Sequence, residues 1–252
     1  MSLEACAELV SRGDPDRFLA AMAAPPAARA RLFPLYAFNL EIARAPWVAQ
    51  EPMIGQMRLQ FWHDVLVQIE AGESGETHEV VAPLREVIRD TGLPLALLHK
   101  MIEARLSDIE RPDFSDPAAL MAYLESTSGN LVWATVVALG GAGDLEAPAR
   151  AVGRASGLAN WLMAAPDLMQ RGWQQVLPLE LTSMVAEARS DLAEARKARF
   201  GPATAAIRAC WRADGILTRA ARDPAAIHEG RLAGSEMSRR GSLLIKSLTG
   251  GW

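Results

Sequence analysis

The chain has 252 residues, of which 30 are acidic and 26 basic, so its formal net charge is −4. Half of the residues are hydrophobic and 22% are charged, a balance that excludes an intrinsically disordered chain and a protein that coats nucleic acid. Alanine occurs 45 times, and arginine supplies 23 of the 26 basic residues. Because alanine favours helix, we predict an all-α protein that forms one domain over residues 1–252.

Helix-breaking residues divide the chain into segments that suit helices, and no segment alternates strictly as a strand does. Asp14 and Pro15 form a cap followed by proline at the first helical position. The next helix opens at Pro25-Pro26, runs towards Ala45 and is expected to kink at Pro34. The remaining helices are predicted at about 52–71, 79–91, 94–110, 117–139, 146–163, 182–199, 202–222 and 224–248.

Residues 164–181 are predicted to be less regular, because Pro166 and Pro178 each stop a helix. No segment is long or polar enough to mark a domain boundary, and the sequence contains no internal repeat. We therefore expect all the helices to pack as one bundle.

Cysteine and histidine are few and scattered. The two cysteines, Cys6 and Cys210, are far apart in the sequence, and no CxxC motif occurs. The four histidines are His63, His78, His99 and His228. This distribution predicts neither a zinc site nor a disulfide framework, and it favours a reducing compartment.

The start of the chain carries acidic residues where a secretory signal carries a basic patch and then an apolar run. The longest apolar stretch, Leu131 to Leu139, is far shorter than the roughly 20 residues that span a bilayer. We therefore expect a cytoplasmic protein without a transmembrane segment, whose membrane contact is at most peripheral, at the inner face.

Polar residues interrupt several predicted apolar faces. Between Ile54 and Ile69 one helical stripe includes Arg58 and Trp62. An arginine in a buried stripe needs a partner. Two interpretations remain open: Arg58 reaches the rim or pairs with a structural carboxylate, which is the simpler one, or it belongs to an anion site in a cavity, since guanidinium suits phosphate.

Two further faces combine apolar and polar residues. Asp108 ends an apolar strip and is expected to cap the helix or to pair with Arg105 or Arg111. The predicted helix at 117–139 carries three polar residues along one side, Tyr123, Thr127 and Asn130. Polar groups at that spacing more often tie helices together than take part in chemistry.

A magnesium-dependent diphosphate site in a helical bundle needs carboxylates at i and i+4 on facing helices. The Asp-rich spacings are Asp14/Asp16 and Asp113/Asp116, both in loop or cap contexts. Glu187, Asp191 and Glu194 repeat along a predicted helix. The same helix carries Arg189, Arg196 and Lys197, a pattern typical of a solvated face with i,i+4 pairs. The sequence therefore predicts no metal ligands.

Four motifs resemble those of the squalene/phytoene synthase family, in that family's order and at about its spacing. They are Tyr36–Glu41 (YAFNLE), Met57–Asp64 (MRLQFWHD), Tyr123–Gly129 (YLESTSG) and Val176–Pro178 (VLP). The resemblance covers residues 16–248 and implies the all-α isoprenoid-synthase bundle around a deep central cavity. The candidate cavity or ligand-binding residues are Tyr36, Leu40, Ala43, Arg44, Trp47, Arg58, Trp62, Asp108, Tyr123, Thr127, Asn130 and Asn160.

The chain departs from the catalytic members of that family at the positions of their two Asp-rich segments, which bind Mg²⁺ and the diphosphates of two prenyl substrates. The first set of positions reads Ala43, Arg44 and Trp47, and the second segment retains one acid, Asp167. Loss of one electrostatic group at such a site commonly costs about 10²–10³ in rate, and loss of a whole metal cradle costs more. In principle Arg44 and Arg58 could form a cationic clamp that binds a phosphate head, but such a clamp would not replace the metal in ionising a diphosphate ester.

This pattern resembles a branch of the family that lacks the Asp-rich motifs and includes the mitochondrial assembly factor for respiratory complex I and its bacterial relatives. The first hypothesis is a non-catalytic protein without catalytic residues or a cofactor. It would bind a lipid, an isoprenoid or a protein partner during respiratory-complex assembly. The alternative is a prenyltransferase that condenses prenyl diphosphates with Mg²⁺ in isoprenoid biosynthesis.

The last predicted helix leaves a further choice open. It carries an apolar cluster that follows Arg239 and Arg240, namely Leu243, Leu244, Ile245 and Leu248, and Trp252 comes after it. Basic residues beside such a cluster are compatible with docking on a membrane surface. Packing of this helix on the core explains the same residues more simply, and it is the arrangement we predict.

Overall fold

The computed structural model describes residues 2–48, 51–73, 77–111, 114–172 and 180–252. Fourteen α-helices follow one another within these ranges, and the ranges contain no β-strand. They are α1 (Leu3–Gly13), α2 (Pro15–Met22), α3 (Pro26–Arg44), α4 (Pro52–Glu70), α5 (Val81–Thr91), α6 (Leu95–Glu110), α7 (Pro117–Leu124), α8 (Asn130–Ala138), α9 (Glu146–Gln170), α10 (Leu181–Ala195), α11 (Thr204–Arg208), α12 (Ala213–Arg222), α13 (Ala225–His228) and α14 (Glu236–Thr249). The predicted all-α class is confirmed.

Local sequence signals placed several helix ends correctly. The Asp14 side chain accepts a hydrogen bond from the backbone N–H of Arg17 at 3.0 Å, and Pro15 is the first residue of α2. Pro34 lies inside α3, as predicted. Helix α1 was not predicted; the side chain of Ser2 caps it by accepting from the N–H of Ala5.

The prediction that Pro166 stops a helix is wrong. Helix α9 runs without interruption from Glu146 to Gln170 and contains Pro166. A proline removes one backbone hydrogen bond, and α9 offsets that loss because its apolar residues are buried on both sides of the proline, from Ala149 to Leu168. It packs against α8, α10 and α12, so it is the central helix of the bundle.

Other predicted helices are shorter than the sequence pattern indicated. The segment predicted at 202–222 is divided into α11 and α12, and the segment predicted at 224–248 is divided into α13 and α14. The predicted helix at 117–139 contains a π-helical turn, Glu125–Gly129, between α7 and α8. None of the helices in the described ranges combines the length and the apolar content needed to cross a bilayer.

The π-helical turn is held against α9 by ion pairs and by close packing. The Glu125 carboxylate accepts from Arg150 Nη1 at 2.6 Å and from Arg154 Nη1 at 2.7 Å. A Cβ atom on Gly153 of α9 would lie 2.6 Å from the carbonyl oxygen of Ser128, so only glycine permits this approach. Such π-turns occur frequently at functional sites, and this one forms part of the cavity wall described below.

Candidate functional site

A cavity of about 440 Å³ lies between α3, α6, α7, the π-helical turn and α9, a size typical of small-molecule sites. Its apolar lining residues are Leu40, Ala43, Trp47, Leu124, Trp161, Ala164 and Leu168, together with Gly157. Its polar lining residues are Arg17, Asn39, Arg105, Asp108, Tyr123, Thr127, Ser128, Asn160, Asp167 and Arg171. An amphipathic molecule could therefore find both apolar walls and polar groups in one space.

The floor of the cavity is a polar cluster of three side chains, of which Asp108 and Tyr123 are buried and Arg105 is partly buried. Arg105 Nη1 donates to Asp108 Oδ2 at 3.0 Å, and the hydroxyl of Tyr123 donates to the same oxygen at 3.0 Å. Arg105 also contacts the Tyr123 hydroxyl, and its guanidinium carbon lies 5.5 Å from the centre of the Tyr123 ring. The predicted pairing of Asp108 with Arg105 is confirmed.

Helix geometry brings these groups together. Arg105 and Asp108 are three residues apart on α6, so their side chains lie on the same face. Tyr123 reaches them from the end of α7, and Thr127 Oγ1 donates to the backbone carbonyl of Tyr123 at 2.8 Å. The π-helical turn therefore begins two residues after Tyr123, at Glu125, and its Thr127 is bonded to the backbone of that tyrosine.

Burial sets the electrostatics of this floor. Desolvation raises the pKa of the Asp108 carboxyl, while the charge of Arg105 and hydrogen bonds from Arg105 and Tyr123 oppose that rise. Burial also raises the pKa of the Tyr123 phenol, so this phenol stays protonated at neutral pH. Asp108 and Arg105 are held as a pair inside the protein. One oxygen of the carboxylate, Oδ2, accepts the hydrogen bonds from both Arg105 and Tyr123.

The mouth of the cavity carries exposed polar residues. Asn160, Asp167 and Arg171 are all exposed on α9 or directly after it. The Arg171 guanidinium carbon lies 5.4 Å from the centre of the Trp47 ring, a cation–π contact across the opening. The cavity is therefore open to solvent on this side and closed at the floor.

A second cavity of about 610 Å³ adjoins the first one. The two share four lining residues: Arg17, Ala43, Asn160 and Ala164. Arg17 is held in place by Asp14, whose Oδ2 lies 2.5 Å from Arg17 Nη1. The two adjoining cavities together enclose a larger volume than the first cavity alone.

The structure brings together some of the candidate residues and separates others. Those that line the first cavity are Leu40, Ala43, Trp47, Asp108, Tyr123, Thr127 and Asn160. Those outside its described lining are Tyr36, Arg44, Arg58, Trp62 and Asn130. A binding role for the first group remains a prediction.

The expectation that Arg58 lies on the buried face of its helix is wrong. Arg58 is exposed, and the face that α4 buries contains Gly55, Leu59, Trp62, Val65 and Leu66. Gly55 packs closely on the preceding turn, where an added Cβ would lie 3.1 Å from the carbonyl oxygen of Ala45.

Trp62 and Tyr36 belong to the core of the bundle. The Trp62 ring meets the ring of Phe38 edge to face, with centroids 5.4 Å apart, and it also contacts His78. Tyr36 is buried in α3, and the guanidinium carbon of Arg17 lies 5.8 Å from the centre of its ring. Tyr36 therefore supports Arg17, which does line the cavity.

Arg44 and Asn130 also turn away from the cavity. Arg44 is exposed and packs over Gly13 at the end of α1. Asn130 is buried; its Oδ1 accepts from Arg150 Nη1 at 2.8 Å and its Nδ2 donates to the carbonyl of Ser126 at 3.0 Å. The sequence left open whether the polar residues of the predicted helix 117–139 tie helices together or take part in chemistry. Asn130 ties helices together, because it joins α8 to α9 through Arg150.

Several cavity residues were not among the sequence candidates, in particular Arg17, Asn39, Arg105, Trp161 and Arg171. Asn39 had a local signal, because it shares a helical face with Ala43 on α3. Arg105 was considered only as a partner of Asp108. Arg17 and Arg171 follow breaks in helical structure, and sequence periodicity does not indicate where such side chains point.

The oxygen ligands around the cavity do not fit a magnesium cradle. The carboxylates in the described lining are Asp108, which Arg105 and Tyr123 engage, and Asp167 at the mouth. Ala43 on α3 and Trp47 in the turn after it occupy the cavity wall where the resemblance implied acidic residues in catalytic relatives. Within the described ranges, no group of three or more His, Cys, Asp or Glu residues is placed to hold a metal ion.

The sequence profile of the squalene/phytoene synthase family matches residues 10–235. The chain belongs to this family. Its motif Val176–Pro178 lies outside the described residues, whereas the other three resembling motifs lie on α3, on α4 and at the junction of α7 with the π-helical turn.

Curated relatives in animals share part of this sequence. The chain is 32% identical over 186 residues, 70% of its length and 54% of the relative's, to "NADH dehydrogenase (ubiquinone) complex I, assembly factor 6 homolog" of Drosophila melanogaster. It is 31% identical over 164 residues, 64% of its length and 48% of the relative's, to the assembly factor 6 of Bos taurus. The protein of the same name from Homo sapiens is 30% identical over 164 residues. The matches span about half the length of these relatives.

Solved structures share the fold over nearly the whole chain. A dehydrosqualene synthase crystallised with a ligand superposes with a TM-score of 0.69 at 15% identity, covering 99% of this chain and 97% of the other. Squalene synthase HpnC from Alicyclobacillus acidocaldarius superposes with a TM-score of 0.63 at 16% identity, covering 98% and 94%. At this level of identity the likeness establishes the isoprenoid-synthase fold, as the sequence motifs implied.

Proposed function

We propose that this protein is an assembly or accessory factor for a respiratory complex of the complex I type, and that its cavity binds a lipid or isoprenoid without condensing prenyl diphosphates. The similarity to assembly factor 6 of three animals supports the first part. The cavity supports the second part, because it combines apolar walls with Ala43 and Trp47 at positions where the resemblance implied metal-binding carboxylates.

The chemistry of the floor and the walls favours binding over catalysis. Departure of a diphosphate requires groups that absorb its developing charge, and Asp108 is already engaged by Arg105. The apolar walls suit the hydrocarbon part of an amphipathic ligand. Arg17 at the inner wall and Arg171 at the mouth suit an anionic or polar head.

A complementation experiment tests the assembly role. Deleting the gene in its source organism should lower the NADH–quinone oxidoreductase activity of isolated membranes and the amount of assembled complex on native gels, and the wild-type gene should restore both. Ala164→Phe fills the cavity from α9 and should restore less. Ala186→Phe adds the same volume at an exposed position of α10 and serves as the matched control. A deletion that leaves the complex and its activity unchanged would refute the assembly role.

The prenyltransferase alternative has a separate test. Purified protein is incubated with farnesyl or geranylgeranyl diphosphate and Mg²⁺, and released inorganic diphosphate and apolar products are measured. The proposal predicts no release above the background without protein. Turnover that Ala164→Phe abolishes and Ala186→Phe retains would establish the alternative, whatever the complementation experiment gives.

A further inference from the structure

Helix α14 turns an apolar face to solvent. Met237, Leu244, Ile245 and Leu248 are exposed to 86%, 59%, 63% and 78% of their full surface. Their spacing along α14 places them, with Gly241, on one stripe of the helix. The prediction that these residues pack on the core is therefore wrong for Leu244, Ile245 and Leu248. It is confirmed for Leu243, which is buried, and for Trp252, whose ring packs against that of Phe200 with centroids 6.1 Å apart.

The opposite side of α14 holds the helix to the protein. Leu243 packs in a small cluster with Ala20 and Trp211. Arg239 Nη1 lies 3.1 Å from Asp16 Oδ1 of α2, which adds an ion pair on the same side. The helix is thus amphipathic with its apolar stripe outward, the reverse of a helix that only completes a core.

Charge is unevenly distributed along the chain, and α14 belongs to the basic part of the sequence. Residues 196–252 contain 11 basic and 4 acidic residues, a net charge of +7, whereas residues 1–195 contain 15 basic and 26 acidic residues, a net charge of −11. Such asymmetry is typical of proteins that contact nucleic acid or membranes. The bulky apolar stripe on α14 favours the membrane, because nucleic acid offers no apolar layer to receive it.

The residues at the margins of the stripe fit a bilayer interface. Arg240 lies beside the stripe with its side chain 69% exposed. Glu236, the one acidic residue of α14, accepts from Arg239 at 2.7 Å and from Arg240 at 2.8 Å, so its charge is compensated. The other margin is formed by small hydroxyl residues such as Ser238 and Ser242. Neither margin presents uncompensated negative charge to an anionic surface.

We propose that α14 docks in the plane of an anionic lipid bilayer, with Met237, Leu244, Ile245 and Leu248 inserted among the acyl chains and Arg240 at the level of the headgroups. Apolar burial and attraction to anionic lipid act together in such helices. This surface is separate from the cavity, so the proposal stands whether or not the cavity binds a ligand.

Vesicle flotation of the full-length protein tests this proposal. One set of vesicles contains phosphatidylcholine with one third phosphatidylglycerol, and the other contains phosphatidylcholine alone. We expect the protein to float with the anionic vesicles, and binding to weaken at least about tenfold in the neutral ones and at high salt. Protein that stays in solution with both sets, or that binds both equally, overturns the proposal.

Two double variants locate the contact. Leu244→Ser with Leu248→Ser removes an i,i+4 pair from the stripe and should weaken binding to anionic vesicles by about tenfold or more. Met53→Ser with Met57→Ser removes a comparably exposed i,i+4 pair from α4, 67% and 66% exposed, and should leave binding unchanged. Circular dichroism checks that both variants are folded.

The remaining outcomes decide against the proposal. Equal losses in the two double variants would show that α14 is not the docking surface. Concentration-dependent self-association in gel filtration that Leu244→Ser with Leu248→Ser abolishes, without vesicle binding by the wild type, would assign the stripe to a second copy of this chain. Vesicle binding that the variant does not weaken would assign it elsewhere on the basic segment.

Discussion

The floor of the cavity and the outward face of α14 both reverse the usual arrangement in which apolar groups lie inside and charged groups outside. At the floor, Asp108 is buried inside the bundle with Arg105 and Tyr123. On α14, Leu244 and Leu248 are exposed. The floor places charge where water is excluded, and α14 places hydrocarbon where water is present.

The two regions differ in what contacts the group that lies in the unusual environment. At the floor the partners are within the chain, because Arg105 and Tyr123 both donate hydrogen bonds to the buried carboxylate of Asp108. For α14, the contacts of the chain fall on the opposite side of the helix, at Leu243 and Arg239. Substitutions at the floor should therefore change the stability of the isolated protein, whereas substitutions on the stripe should change its association.

The largest effect is expected when the buried ion pair is broken. Arg105→Leu leaves Asp108 buried without its cationic partner and should lower the free energy of unfolding by about 3 kcal/mol, measured by urea denaturation. Arg89→Leu removes an exposed arginine of α5 that pairs with Asp90 and should cost less than about 0.5 kcal/mol. Equal costs in the two variants would mean that the floor does not depend on this pair.

The two sides of α14 should respond differently to truncation. Leu243→Ala removes a buried side chain and should lower the free energy of unfolding by about 2 kcal/mol. Leu248→Ala, one turn further along and exposed, should change it by less than about 0.5 kcal/mol. A large cost for Leu248→Ala would show that the stripe has a partner within the chain.

The close packing of α9 on the π-helical turn can be tested with two glycine-to-alanine substitutions that are expected to change stability in opposite directions. In Gly153→Ala the new Cβ would lie 2.6 Å from the Ser128 carbonyl oxygen and 2.7 Å from Gly129 Cα, so stability should fall by about 1–2 kcal/mol. Gly215→Ala on α12 places its Cβ in open space and should raise stability by about 0.5–1 kcal/mol. Thermal unfolding of both variants measures this difference, and a stabilised Gly153→Ala would contradict the observed packing of α9 on the π-helical turn.

The smallest effect is a dependence of stability on pH. Burial raises the pKa of Asp108 above its ordinary value, so in the range between the unfolded and folded pKa values the folded protein binds more protons than the unfolded one. The stabilisation from this group is then complete below the unfolded pKa and is lost as the pH rises through the folded pKa. The free energy of unfolding of the wild type, measured relative to Asp108→Asn at a series of pH values, should fall as the pH rises above about 4. If the stability of the wild type relative to Asp108→Asn instead increases with pH, the charge of Arg105 lowers the pKa of Asp108 by more than burial raises it.

Much of the fold was predictable because helix signals are local. The cap at Asp14 and the proline that follows it marked the start of α2, and the motif that begins at Tyr36 indicated the family. Pro166 was misleading because a proline weakens one turn, whereas α9 is held by buried residues along its whole length. The break between α13 and α14 had a local signal that the predicted helix at 224–248 overlooked, because Gly230 and Gly234 adopt positive φ and the side chain of Ser235 caps α14. The break between α11 and α12 contains neither glycine nor proline.

The candidate site was predictable only in part, for a geometric reason. Leu40, Ala43 and Trp47 share a face of α3 and its following turn, and they line the cavity together. Arg58 was predicted in the same way from the apolar stripe of its helix, yet it is exposed, whereas Gly55, Leu59 and Trp62 are the buried residues around it. Helical spacing predicts which residues share a face, but it does not predict which face turns inward.

The amino-acid sequence by itself determined the all-α class, the helix start at Asp14–Pro15 and the family, since these depend on composition, local capping and residue identity. The tertiary structure decided that Asp108, Arg105 and Tyr123 meet at a cavity floor and that the apolar stripe of α14 points outward. The physical reason is that one helix presents several faces, and the side that becomes buried depends on the shape and spacing of neighbouring helices distant in sequence.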